Sequence, residues 1–316
     1  MAAPIESRIE FQRDCGGGIA SMTWRRNGGD IRTARRVEIE RHQAVAFSNG
    51  GVQLRGALIR PLAREKSPAI VLVPGSGAED REYLLPFAHF LVRHGIALLG
   101  YDKRGTGEST GDWKTASFDD LAGDVVSAIQ YLETRADIDG SQIAVMGLSQ
   151  AGWVMPLAAL RTNNLAFLIS VSGAGVSAAE TTIDEARNEM TSARMPPDAI
   201  ERVIRLMRLE YEYARTGQGW AGYTAARSEL VSRFGKAPDT FPAAQNDLYW
   251  RTIRRLYLYD PADTLRHMRV PTLASFGELD DNIMAEKNRP HGKRRSERAA
   301  IGTSLYEFCL PAITCS

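Results

Sequence analysis

Gln142-Ile-Ala-Val-Met-Gly-Leu-Ser149-Gln-Ala-Gly152-Trp-Val-Met155 decides how the rest of the chain is read. An apolar run, Ile143 to Met146, stops at Gly147. A serine follows two residues later, then the small residues Ala151 and Gly152, then a helical pattern. The order is strand, sharp turn, helix. A tight turn of this kind crowds strand against helix, so the residues flanking it must be small. A buried Gly-Ser turn after any strand shares the local pattern, so the flanking sequence must decide.

The flanks of this stretch alternate between strand and helix. Upstream, Ser117-x-x-Asp120 has the form of a capping box, and Leu121, Val125, Ile129 and Leu132 mark the core face of a helix. Before it, Ile96 to Leu99 predicts a strand, Glu82 to His94 a helix ended by Gly95, and Ala69 to Val73 a buried strand. Val37 to Phe47 and Val52 to Ile59 predict a hairpin, because Asn49-Gly50-Gly51 tolerates positive φ. Downstream, Phe167 to Val171 is another apolar strand. Strict alternation predicts an α/β fold: a mostly parallel sheet with helices on both faces, since parallel strands need crossover helices.

The 316 residues suit one large α/β domain or one domain with an insertion. A formal net charge of +1 gives no global electrostatic case for nucleic acid or an anionic membrane. Cys15, Cys309 and Cys315 have no metal-ligand spacing. No apolar run reaches membrane-spanning length and the N-terminus lacks a signal-peptide pattern, so the expected location is the cytoplasm. Residues 1–36, interrupted by glycines and rich in arginine, are expected to be an irregular basic lead-in.

Four motifs in order carry a family likeness. Gly147-x-Ser149-x-Ala151-Gly152 resembles the G-x-S-x-G nucleophile elbow of the α/β-hydrolase superfamily, with Ala151 where the second glycine is usual. Pro74-Gly75-Ser76-Gly77 follows the strand whose loop in that family supplies an oxyanion donor, with Pro74 in place of the usual histidine. Asp102-x-Arg104-Gly105-x-Gly107-x-Ser109 resembles a loop that is mainly structural in the family. Pro271-x-Leu273 to Gly277-x-x-Asp280 resembles the strand end bearing the triad acid. The likeness runs from about Val37 to Asp281 and divides the chain into core residues 37–176, a helical cap at 177–259, core residues 260–283 and an atypical tail at 284–316. The cap rests on the helical spacing of Ile200, Val203, Ile204 and Met207 and on frequent aromatic residues.

The resemblance implies a serine carboxylic ester hydrolase with a helical cap. Ser149 would be the nucleophile, the N–H groups of Gln150 and Ser76 the oxyanion hole, and Asp280 the acid that orients a histidine. Glu278 and Asp281 are neighbouring acids that could be mistaken for it. His291 is the sole histidine downstream. It sits earlier than the family spacing implies, in a basic, breaker-rich run, and no amphipathic helix followed by a buried strand is evident after 284. That tail favours a second reading, a catalytically impaired or non-catalytic protein of this fold that binds small acyl compounds. Peptidase and thioesterase chemistry use the same machinery. The implied partner is a small-molecule ester; no cofactor or metal is implied, and oligomeric state stays open.

Overall fold

The computed structural model describes residues 7–26, 28–83, 85–235, 241–245, 247–277, 279–280, 282–283, 285–288, 295–296 and 303–308. In place of an irregular lead-in, residues 7–35 form a small antiparallel sheet: β1 (Ser7–Arg13), β2 (Ile19–Arg26) and β3 (Ile31–Arg35). Its strands are mostly exposed and carry little of the in/out alternation that announces a half-buried strand.

The main sheet opens with a long hairpin, β4 (Glu40–Asn49) and β5 (Val52–Pro61), closed at Gly50, whose φ is 57°. Then come β6 (Ser67–Val73), α1 (Leu85–Arg93), β7 (Ala97–Tyr101), α2 (Phe118–Glu133), β8 (Ile138–Leu148), α3 (Ala151–Ala159) and β9 (Leu165–Val171). The α2 capping box is present: the Ser117 side chain accepts from the Asp120 N–H and the Asp120 carboxylate accepts from the Ser117 N–H. Leu121, Val125, Ile129 and Leu132 are buried as their spacing predicts.

The alternation then breaks. Helices α4 (Ala178–Ser192), α5 (Pro197–Thr216), α6 (Trp220–Phe234) and α7 (Asp247–Thr252) precede a wide helical turn at Ile253–Tyr257. These helices have their own apolar cluster, built around Ile204, Leu206, Tyr213, Tyr223, Phe241 and Trp250. The segment's ends meet where the Ala178 N–H donates to the Tyr259 carbonyl at 3.1 Å. The chain re-enters the sheet through α8 (Ala262–His267) and β10 (Thr272–Gly277), followed by α9 (Ala285–Asn288), β11 (Arg295–Ser296) and β12 (Thr303–Phe308).

Among the described residues the sheet has nine strands in the order β11-β12-β10-β9-β8-β6-β7-β5-β4. The central run β10, β9, β8, β6 and β7 is parallel. The tail departs from expectation here, since β12 lies antiparallel to β10. Polar Ser304 and Glu307 interrupt the apolar residues of β12, so it lacks the continuous apolar run that marks a buried strand.

The core lies on both faces of the parallel run, which reads as near-continuous hydrophobic sequence for that reason. Val71, Val73, Leu99, Ile143 and Val145 pack toward α2 and α3, and Ile70, Leu72, Leu98 and Met146 toward α1. Ser149 follows the C-terminal end of the central strand β8, at the edge of the sheet where open α/β sheets bind ligands.

Candidate active site

Ser149 is one of three non-glycine residues with positive φ among the described residues, at 53°. This left-handed conformation strains any residue with a Cβ, and such strain concentrates at functional positions. The surroundings hold it there. The Ser149 N–H donates to the Val171 carbonyl at 3.2 Å, and its own carbonyl accepts from Gly152 at 2.8 Å and Ala174 at 3.4 Å. Three segments, the ends of β8 and β9 and the start of α3, thus lock one residue.

The small residues are required by contact. A Cβ on Gly147 would stand 2.4 Å from the Ala151 Cβ and 3.0 Å from the Val73 carbonyl. A Cβ on Gly152 would stand 2.5 Å from the Ala174 nitrogen. Ala151 is tolerated because Gly147 opposite it has no side chain.

The loop after β6 is held as firmly. Pro74 and Gly75 are buried, and the Gly75 N–H donates to Glu79 Oε2 at 2.6 Å. Burial pushes the Glu79 carboxyl above its ordinary value, against the Gly75 N–H and the Lys103 charge. Ser76 is exposed. Among the described residues neither the Ser76 nor the Gln150 backbone N–H donates a hydrogen bond. Two unpaired donors beside a strained serine are what an oxyanion site requires before substrate arrives.

The loop after β7 is a rigid brace. Burial works against it, but the Arg81 hydrogen bonds hold the Asp102 carboxyl below its ordinary value. Arg81 grips that carboxylate through Nε at 2.9 Å and Nη2 at 2.6 Å. Arg104 forms a second buried pair with Asp124 of α2, at 2.8 and 2.7 Å. Between them Lys103, only 2% exposed, turns toward the elbow. Its Nζ donates to the Gly75 carbonyl at 2.6 Å and to Gln150 Oε1 at 2.8 Å. Burial drives its ammonium down to about 8, against the Glu79 charge. In the sequence this residue is the unspecified position of its motif.

Asp280 lies just beyond β10, partly buried. Its Oδ1 accepts from the N–H groups of Asn282 at 3.1 Å and Ile283 at 2.9 Å, which fixes the carboxylate in a turn. Its charge reaches α4: burial and then Asp280 raise the Glu185 carboxyl above its ordinary value. Lys287 ties the segment after β10 to the same helix, donating to Asp184 at 2.6 and 2.7 Å.

His291, Glu278 and Asp281 lie outside the described residues. The other histidines are engaged elsewhere. His42 and His89 share Glu40 on the edge strand β4, His94 bonds the Phe90 carbonyl, and His267 bonds the Asp263 carbonyl. Among the described residues no cluster of His, Cys, Asp or Glu is arranged to hold a metal ion, and no helix is long and apolar enough to cross a membrane. An apolar cavity of about 100 Å³ lies between α3, α8 and the strands β9 and β10, lined in part by Gly152, Leu168, Val270 and Phe276. Ser149, Gln150 and Ser76 take no part in its walls.

A parallel sheet with a strained serine between β8 and α3 defines a class, and the sequence agrees. Residues 70–305 match the alpha/beta hydrolase family, and the chain belongs to that family. It is 31% identical over 127 residues to the quorum-quenching protein AidA of Acinetobacter baumannii, a match covering 40% of this chain and 42% of that protein. It is 25% identical over 252 residues to an uncharacterized 31.7 kDa protein from the traX-finO intergenic region of Escherichia coli, covering 78% of this chain and 83% of that one. Among solved structures, the alpha/beta hydrolase GrgF from Penicillium superposes with a TM-score of 0.50 at 21% identity, covering 78% of this chain and 83% of the other.

Proposed function

We propose that the chain is a carboxylic ester hydrolase working through Ser149 and an acyl-enzyme. The observation that carries this is Ser149 at φ 53° with the unpaired N–H groups of Gln150 and Ser76 on the two neighbouring loops. In the proposed reaction the Ser149 hydroxyl attacks the acyl carbon as its proton passes to a base. The oxyanion is held by the Gln150 and Ser76 N–H groups, the alkoxide leaves with a proton, and water releases the acid. Asp280 would orient and charge-stabilise the histidine base, for which His291 is the candidate. The same acyl-enzyme would serve thioester or peptide substrates.

Residues 177–259 act in this proposal as a cap over the serine, shaping an acyl pocket and excluding water. The Lys287–Asp184 pair and the closeness of Glu185 to Asp280 support that placement.

A second reading, a protein of this fold that binds acyl compounds with little turnover, is favoured by one observation: every histidine among the described residues is engaged away from the elbow. Hydrolysis of p-nitrophenyl butyrate separates the two. Turnover that falls at least about 10⁴-fold in Ser149→Ala is the expected result. Turnover by the native chain that Ser149→Ala leaves intact would sink the first reading. A native chain that binds the ester but hydrolyses it no faster than Ser149→Ala supports the second.

A further inference from the structure

Lys103 is a buried cation in a position that the Asp102-x-Arg104 motif leaves open. An ammonium has three N–H donors and no acceptor. Two of those donors go to the Gly75 carbonyl at 2.6 Å and to Gln150 Oε1 at 2.8 Å. These partners belong to the two separate segments that carry the candidate oxyanion donors.

The first contact fixes a peptide plane. The described peptide bonds are trans, so the carbonyl of Gly75 and the N–H of Ser76 point in opposite directions from one rigid unit. Holding the Gly75 oxygen on Lys103 therefore aims the Ser76 N–H away from the cation. The second contact orients a side chain. Because the ammonium can only donate, the Gln150 amide must present its oxygen to Lys103. That anchors the residue whose backbone N–H is the other donor.

Glu79 closes the arrangement. It receives the Gly75 N–H at 2.6 Å, its carbonyl accepts from the Lys103 N–H at 3.0 Å, and its charge faces the ammonium. The centre of the Trp113 ring lies 5.7 Å from Nζ.

We propose that Lys103 is a positioning residue that holds the Ser76 and Gln150 donors in register as one preorganised oxyanion hole. The inference rests on the Ser149 reading above. It predicts that the cation serves the transition state, where charge appears on oxygen, and not the binding of substrate.

The test uses the full chain and an alkyl fluorophosphonate, whose reaction needs the nucleophile and the oxyanion hole. In Lys103→Met the maximal inactivation rate should fall about 100-fold, while the half-saturating probe concentration stays within about threefold. Lys103→Arg should recover about tenfold of that loss, since it restores the charge and donors but not a compact ammonium. The native second-order rate should decline above about pH 8 as the ammonium loses its proton. Glu79 is the titratable group facing it; Gln150 and Trp113 do not titrate. In Lys103→Arg that alkaline decline should vanish, because guanidinium keeps its proton there.

Labelling of Lys103→Met within threefold of native overturns the proposal. So does an unchanged alkaline decline in Lys103→Arg, which decides the matter if the methionine variant fails to fold. A native chain that does not label, or a Ser149→Ala variant that labels equally well, overturns the Ser149 reading instead and this inference with it.

Discussion

The sheet around the elbow and the helical insertion after β9 are packed from different materials. Around the elbow, aliphatic side chains and bare backbone meet: Gly152 leaves no room for a methyl group against Ala174, and Gly147 none against Ala151. In the insertion, rings meet rings. Trp250 is flanked by Tyr213 at 4.8 Å, Tyr249 at 5.1 Å and Tyr223 at 5.6 Å. Among these rings lies a carboxylate, Glu210, 4% exposed and hydrogen-bonded by the Tyr249 hydroxyl. The two regions therefore tolerate change differently. Backbone contacts fix one geometry and transmit any added atom, whereas large rings bury much area with few constraints on the main chain.

The largest effect on stability should come from the insertion. Tyr223→Ala removes a fully buried ring and its bond to the Pro242 carbonyl, and should cost about 4 kcal/mol. Amide hydrogen exchange reads where the loss falls. Faster exchange confined to α5 and α6 sharpens the distinction; equal loss of protection in β6 and β8 would break it.

Next comes Glu210. Burial pushes its carboxyl up to about 7, against the Tyr249 hydrogen bond. The folded chain therefore holds this proton after the unfolded chain has released it. Native stability contributed here is full at acid pH, declines as pH rises from the usual glutamate range of about 4.3 toward 7, and is level above that. The decline should be on the order of 3 kcal/mol. Urea unfolding of Glu210→Gln should lack it. A wild-type profile as flat as the variant's would show that the carboxylate is satisfied in its charged form.

The smallest effect lies at the elbow. Gly152→Ala forces a methyl group against backbone atoms at 2.5 Å and should cost about 2 kcal/mol. Because Gly152 also bonds the Ser149 carbonyl, ester turnover should fall with it. A variant as stable as the native chain would mean that α3 can slide on the loop after β9.

The sheet was legible because each of its signals is local. Asn49-Gly50-Gly51 closes the β4–β5 hairpin, Ser117 caps α2, and the elbow sequence marks the end of β8. The small N-terminal sheet was not legible, since exposed strands need no alternation and Ile9, Phe11 and Ile31 face outward as freely as their polar neighbours. Two buried charges were hidden for another reason. Lys103 occupies a motif position that pattern reading ignores, and a lysine is ordinarily taken as solvated. Glu210 sits between Leu209 and Tyr211 on α5, where a charge reads as the wet face of a helix. The burial of both depends on segments distant in sequence: Gly75 and Gln150 for the lysine, Tyr249 for the glutamate.

The single hydrogen bond between Ala178 and Tyr259 brings together the two ends of an excursion of some eighty residues. To the sheet, that excursion is one loop whose anchor points are neighbours. Segments whose two ends meet in this way are where changes of length are most readily accommodated, because the strands on either side keep their pairing.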